Sequence, residues 1–145
     1  MKKYYSFIIL SICTLVSCSI KPEPINYGSD GCHFCSMTIV DKQHAAEIVT
    51  AKGKSFKFDA SECMINHLQD IDKSTVAMFL VNDFNNPGDL IDATKATFLI
   101  SKNIPSPMGA YLSAFKSKDA ADTIRSINEG ELYTWESLGS KFEKE

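Results

Sequence analysis

Beyond residue 30 the chain carries short bursts of apolar and β-branched residues, broken by glycine, proline and amide-rich turns, and this pattern predicts strands. Glu47-Ile48-Val49-Thr50-Ala51 and Ser55-Phe56-Lys57-Phe58 flank Lys52-Gly53-Lys54, as in a β-hairpin. Asp59-Ala60-Ser61-Glu62 sets an acidic residue at a strand end with Glu three positions on. That is a capping-box-like start for a helix through Cys63-Met64-Ile65-Asn66-His67-Leu68. Val76-Ala77-Met78-Phe79-Leu80-Val81 is a continuous apolar run of the kind a buried strand shows. The same order then returns. Ala96-Thr97-Phe98-Leu99-Ile100 and Tyr111-Leu112-Ser113-Ala114-Phe115 read as strands, residues 117–128 as a helix capped by Ser117 and stopped at Gly130, and residues 131–135 as a final strand. Residues 82–89, rich in turn formers, read as the joint between the halves. The expectation is an α+β fold of two similar ββαβ lobes, one over about 31–84 and one over about 90–138. Each half is near the lower size limit for independent stability, so the two should pack together. The repetition lies in element order, not in matching residues.

The N-terminus follows another pattern. Lys2 and Lys3 precede the apolar stretch Phe7 to Val16, which falls short of the roughly 20 residues that span a bilayer. Leu15-Val16-Ser17-Cys18 resembles the lipobox of bacterial lipoproteins, in which the cysteine becomes the acylated first residue. Residues 1–17 are therefore expected to be a lipoprotein signal peptide, with lipid carried on Cys18. Residues 18–30, held out of helix by Pro22 and Pro24, are expected to form an extended tether. The protein would then sit in the cell envelope, anchored to a membrane and facing the periplasm or exterior.

Composition narrows the function. The 145 residues carry a formal net charge of -3, and loss of Lys2 and Lys3 with the leader takes it to about -5. No Lys/Arg cluster offers nucleic acid an electrostatic footprint. Serines stand without a G-x-S-x-G elbow, and neither H-E-x-x-H nor a phosphate-cradling glycine loop occurs. Asp119 and Asp122 fall at a predicted helix start, where they favour the helix dipole and face solvent. Of five cysteines, Cys13 leaves with the leader and Cys18 takes lipid, so Cys32, Cys35 and Cys63 remain. An odd number opposes a complete disulfide framework, and unpaired thiols in an oxidising compartment need burial or a ligand.

Chemistry concentrates in Cys32-His33-Phe34-Cys35-Ser36-Met37. Thiolate and thioether together suit monovalent copper. Met37-Thr38-Ile39-Val40 reads as a strand; with Cys35 already extended, Cys35 and Met37 point the same way, and Cys32 folds back from the preceding turn. Met108 lies in the irregular loop Pro105-Ser106-Pro107-Met108-Gly109-Ala110, where a side chain is exposed to act, although methionine also fills gaps. Cys63 and His67, spaced i, i+4, share a helix face, but that helix needs an apolar face and a core role for Cys63 competes. His33 is a further nitrogen donor candidate; His44, in a polar turn, receives no role. Three chemistries stay open: a copper(I) site, a thiol–disulfide oxidoreductase using Cys32 and Cys35, and a structural zinc site from Cys32, Cys35, Cys63 and a histidine. The β-prone sequence after Cys35 opposes the second, because C-x-x-C in that chemistry opens a helix.

The lipobox, Gly31-Cys32-His33-Phe34-Cys35-Ser36-Met37-Thr38-Ile39, Phe58-Asp59-Ala60-Ser61-Glu62-Cys63-Met64 and Pro107-Met108-Gly109 before Ala114-Phe115 together resemble the NosL family. The resemblance implies a membrane-tethered copper(I) chaperone, not an enzyme, built from two ββαβ lobes. Its partners would be nitrous-oxide reductase and the membrane complex that assembles the copper centres of that enzyme. By matching position it implies Cys32, Cys35, Met37 and Met108 as metal ligands. The glycine usual before the motif's methionine is Ser36 here, and its side chain restricts the turn.

Overall fold

The structure is a computed structural model and describes residues 19–143. Among these residues the chain runs β1 (Ala46–Thr50), β2 (Ser55–Phe58), α1 (Ser61–His67), β3 (Val76–Asp83), β4 (Asn86–Asp92), β5 (Thr97–Ile100), β6 (Leu112–Phe115), α2 (Lys118–Asn128), β7 (Glu131–Tyr133) and α3 (Trp135–Phe142). One antiparallel sheet has the order β2-β1-β3-β4 and the other β6-β5-β7. In both, the first strand of a hairpin is central and the strand after the helix pairs on its far side. The two similar ββαβ lobes are therefore present, as one pairing scheme used twice.

Four local expectations need correction. Residues 82–89 are not a joint between lobes: β3 runs to Asp83, two residues turn the chain, and β4 extends the first sheet. Pro87 is tolerated there because β4 is an edge strand, where a missing N–H leaves no ladder bond unmade. Trp135 belongs to α3, not to a strand. Thr134 caps that helix reciprocally with Ser137, Oγ1 of Thr134 accepting from Ser137 N–H at 3.3 Å and Ser137 Oγ from Thr134 N–H at 2.9 Å. Asp59 does not cap α1, whose N-cap is Ala60 with no side-chain bond; the Asp59 side chain is buried instead. Met37–Val40 forms no strand, contributing only the bridge between Gly31 and Thr38.

Strand alternation builds the core. Leu112 and Ala114 of β6 and Phe98 of β5 face a cluster shared with Ile48, Phe58, Met64 and Val81 of the first lobe. Leu99 and Phe115, one position off, face α2 through Ala121. Between the two sheets lies α1, with Ser61 to Ile65 all buried and with contacts to β1, β2, β6 and α3. The other face of the first sheet is closed by the N-terminal segment. There the buried Glu47 Oε1 accepts from Glu23 N–H at 2.8 Å, and Lys57 Nζ donates to Pro24 O at 2.7 Å and pairs with Asp30 at 2.7 Å. The expected extended tether is therefore corrected over residues 23–30, which dock on the sheet and turn at residues 27–29, where Ser29 and Asp30 N–H donate to Asn26 O.

Two features set the positions of loops. His44 is buried at the lobe boundary, its Nδ1 2.9 Å from Asp41 Oδ2 and its Nε2 3.2 Å from Ser113 Oγ on β6. Residues 30–39 double back in a tight hairpin: Cys32 N–H donates to Met37 O at 2.8 Å, Ser36 N–H to Cys32 O at 3.0 Å and Ile39 N–H to Asp30 O at 2.9 Å. The reversal puts Ser36 at φ +65°, where a side chain costs about 1–2 kcal/mol.

Two stability outcomes are expected. His44→Ala, which removes the local bond to Asp41 and the bond across the boundary to Ser113, should lower unfolding free energy by about 2 kcal/mol in a urea titration. An unchanged midpoint would show that the bridge contributes nothing. Ser36→Gly should raise stability by about 1 kcal/mol, the gain from relieved left-handed backbone less the extra unfolded-state entropy of glycine. A destabilised glycine variant would mean that the serine side chain, not the backbone, governs this turn.

Candidate metal centre

The hairpin turn and the helix start converge on one point. Cys32 and Cys35 come from opposite ends of the turn, and Cys63 comes from the first turn of α1, three residues after its N-cap Ala60. The three Sγ atoms all lie within 4.8 Å of one another, and all three thiols are free. Cys32 and Cys63 are buried, whereas Cys35 is half-exposed. Metal–thiolate bonds of about 2.3 Å place three sulfurs around a common ion roughly 4 Å apart, so this group fits one small soft cation with little movement.

Hydrogen bonding polarises the group. The Cys32 thiol is drawn down to about 4, chiefly by the hydrogen bond from Cys63, with backbone N–H groups of Cys35, Asp59 and Phe34 also donating and burial opposing. Cys32 is therefore a thiolate at neutral pH. Cys63 is pushed up, first because its proton bonds Cys32 and then by burial and the nearby sulfur charge. Cys35 is pushed up by burial before anything else. Beside the sulfur group, burial and then the Cys32 charge raise Asp59.

The imidazoles lie outside the sulfur group. His33 and His67 meet edge to face with ring centres 5.0 Å apart, and His33 lies 4.4 Å from the Phe56 ring. Burial first, then His33, lowers the pKa of His67. Among the described residues the cluster of candidate ligand atoms contains the three sulfurs and no imidazole nitrogen. The four-ligand zinc arrangement considered from sequence is thus not formed, because the i, i+4 turn that aligns His67 with Cys63 directs its ring onto His33 and the Phe56 and Phe58 rings. Nor does a helix follow Cys35, as disulfide exchange chemistry at C-x-x-C would have it.

The two methionines expected as ligands are exposed. Met37 is 52% exposed and Met108 is 41% exposed. The shared-face argument for Cys35 and Met37 does not apply, since left-handed Ser36 interrupts the strand period between them. The Met108 loop, connecting β5 to β6, is fastened to α1: Glu62 Oε1 accepts from Ser106 Oγ at 2.5 Å. Cys18 lies outside the described residues. Sequence reasoning paired Cys32 with Cys35 but gave Cys63 to the core; the odd number of remaining thiols was the one signal that it had partners.

Comparison with known proteins identifies the family and the fold. The NosL family model matches residues 25–142. The copper-binding lipoprotein NosL of Stutzerimonas stutzeri is 27% identical over 125 residues, covering 80% of this chain and 66% of that protein, just under two thirds of its length. The crystal structure of the copper chaperone NosL from Shewanella denitrificans superposes with a TM-score of 0.70 at 20% identity, covering 81% of this chain and 95% of the other, which shows a common fold. With the family match spanning most of its length, this chain belongs to the NosL family.

Proposed function

We propose that this protein binds a single copper(I) ion as cargo and hands it to a partner by ligand exchange, without catalysing a reaction. The observation that carries the reading is the convergence of three sulfurs from two separate elements, two buried and one half-exposed. Thiolates in low coordination number select copper(I) over the harder divalent ions. Cys35, half-exposed, is where an incoming ligand would attack, and the exposed thioethers of Met37 and Met108 would serve as further soft donors as Cys32, Cys35 and Cys63 are exchanged. Lipid on Cys18 would hold the carrier at the membrane surface, outside the cytoplasm. Membership in the NosL family supports nitrous-oxide reductase, reached through its membrane-bound copper-assembly complex, as the recipient.

Copper loading must displace the protons of Cys35 and Cys63, since a metal ligand is the thiolate. Both groups are raised above the ordinary thiol value, so they remain protonated at neutral pH and compete with the ion. Apparent copper(I) affinity should therefore climb with pH across the neutral range, by about tenfold per unit for each proton released. Anaerobic competition with a chromogenic chelator at several pH values measures the slope, and a flat profile would rule out proton-coupled loading.

The same competition on variants tests the ligand set. Cys32→Ser, Cys35→Ser and Cys63→Ser should each surrender copper(I) to a chelator that the parent resists. Full retention by Cys63→Ser would return that residue to the core and leave a two-thiol site. Transfer to copper-free nitrous-oxide reductase, followed by its absorption spectrum, tests the recipient; no transfer from loaded protein in the presence of the assembly complex would reject it.

A further inference from the structure

We propose that Glu62 is the positioning residue of the copper site, fixing the Met108 turn against the helix that supplies Cys63. The inference rests on the reading of Met108 as a thioether donor. Glu62 adjoins Cys63 and is only 2% exposed, at a helix position where an apolar side chain would serve packing better. A buried carboxylate persists only where its bonds compensate the lost water. Its partners are specific: Oε1 accepts from Ser106 Oγ at 2.5 Å and, more weakly, from Ala110 N–H at 3.4 Å, while Oε2 is buried without a partner. Those donors stand two residues before and two residues after Met108. No lysine, arginine or histidine pairs with Glu62 among the described residues.

Apart from these bonds, the ends of the loop are anchored by Ile104, buried in the second cluster, and by Ala110, packed against the shared core. Residues between β5 and β6 form no regular element. Gly109 N–H closes a turn onto Ser106 O at 3.0 Å, with Gly109 at φ +77° and Tyr111 at φ +58°. These local bonds and the rings of Pro105 and Pro107 set the shape of the turn, not its placement on the first lobe. Met108 is too exposed for packing to fix it. Between those anchors Glu62 holds the turn from both sides of Met108, through Ser106 and Ala110, and it shares the first turn of α1 with Cys63. One residue therefore ties the distance between a thioether of the second lobe and a thiol of the first.

Copper(I) affinity of the whole chain, measured anaerobically against a chromogenic chelator, tests this in a double-mutant cycle of Glu62→Ala and Met108→Leu. Loss of a residue that orients a ligand commonly weakens metal binding about 10- to 100-fold, and Glu62→Ala should fall in that range. The double variant should be no weaker than the weaker single variant, because both remove the same thioether. X-ray absorption of copper-loaded Glu62→Ala should show one sulfur scatterer fewer than the parent, a change that loosened packing alone would not give. Glu62→Gln, which keeps an acceptor oxygen, should restore most of the affinity. Additive losses, an unchanged sulfur count or parental affinity in Glu62→Ala would overturn the role of Glu62 and leave the copper site standing. Parental affinity in Met108→Leu would instead overturn the ligand assignment beneath it. Should Glu62→Ala fail to unfold cooperatively, Ser106→Ala carries the same cycle, with the same coupled loss expected and the same additive or absent loss overturning the role.

Discussion

The burial of the first five residues of α1 between two sheets is the constraint from which the rest of this molecule follows. The helix supplies the wedge that joins Phe58 and Val81 to Phe98, Leu112 and Ala114 in one core shared by two small lobes. Because Met64 and Ile65 lock its rotation, the residues before them cannot choose their direction. Glu62 is turned towards the second lobe and Cys63 towards the hairpin turn of the first. Two polar tasks are thereby imposed on a helix whose packing alone would favour apolar residues.

The site shows the tension that such placement creates. Cys32 holds a negative charge in a buried position beside Asp59, whose Oδ1 has no partner, and near Glu62, whose Oε2 has none. Ser36 sits in a backbone region that serine disfavours. Each of these features lowers stability a little, and each belongs to the segments that bring sulfur together. A monovalent cation accepted by the thiols would offset the Cys32 charge, so the features that weaken the protein alone would favour binding of such an ion. Such local cost is expected where a scaffold holds donors close together for a ligand.

Much of the fold was legible because strand pattern and turn chemistry agreed. The hairpin around Gly53, the helix opened by Ser117 and the run Val76–Val81 were readable from period and caps alone. What failed did so where tertiary contacts overrode local pattern. Met37–Val40 has the composition of a strand, yet the reversal at Ser36 allows it only a single bridge. Asn82–Asp89 has the composition of a loop, yet an edge position lets Pro87 sit within β4. In the site, Cys32 and Cys35 were legible from their spacing. Cys63 was not, since a cysteine on an apolar helix face has the same local signature whether it fills a core or meets two other thiols. His44 was illegible for a similar reason: its partners, Asp41 and Ser113, lie 3 and 69 positions away, and only the second gives the ring its place between lobes.

The docking of the N-terminal segment has a mechanical corollary. With Glu23 pinned at Glu47, five peptide steps separate the body from position 18. At about 3.6 Å each, they permit a swing of roughly 18 Å at full stretch. A protein held at that cysteine would patrol a shell scarcely wider than its own radius, so any recipient would have to come to it within the same thin layer.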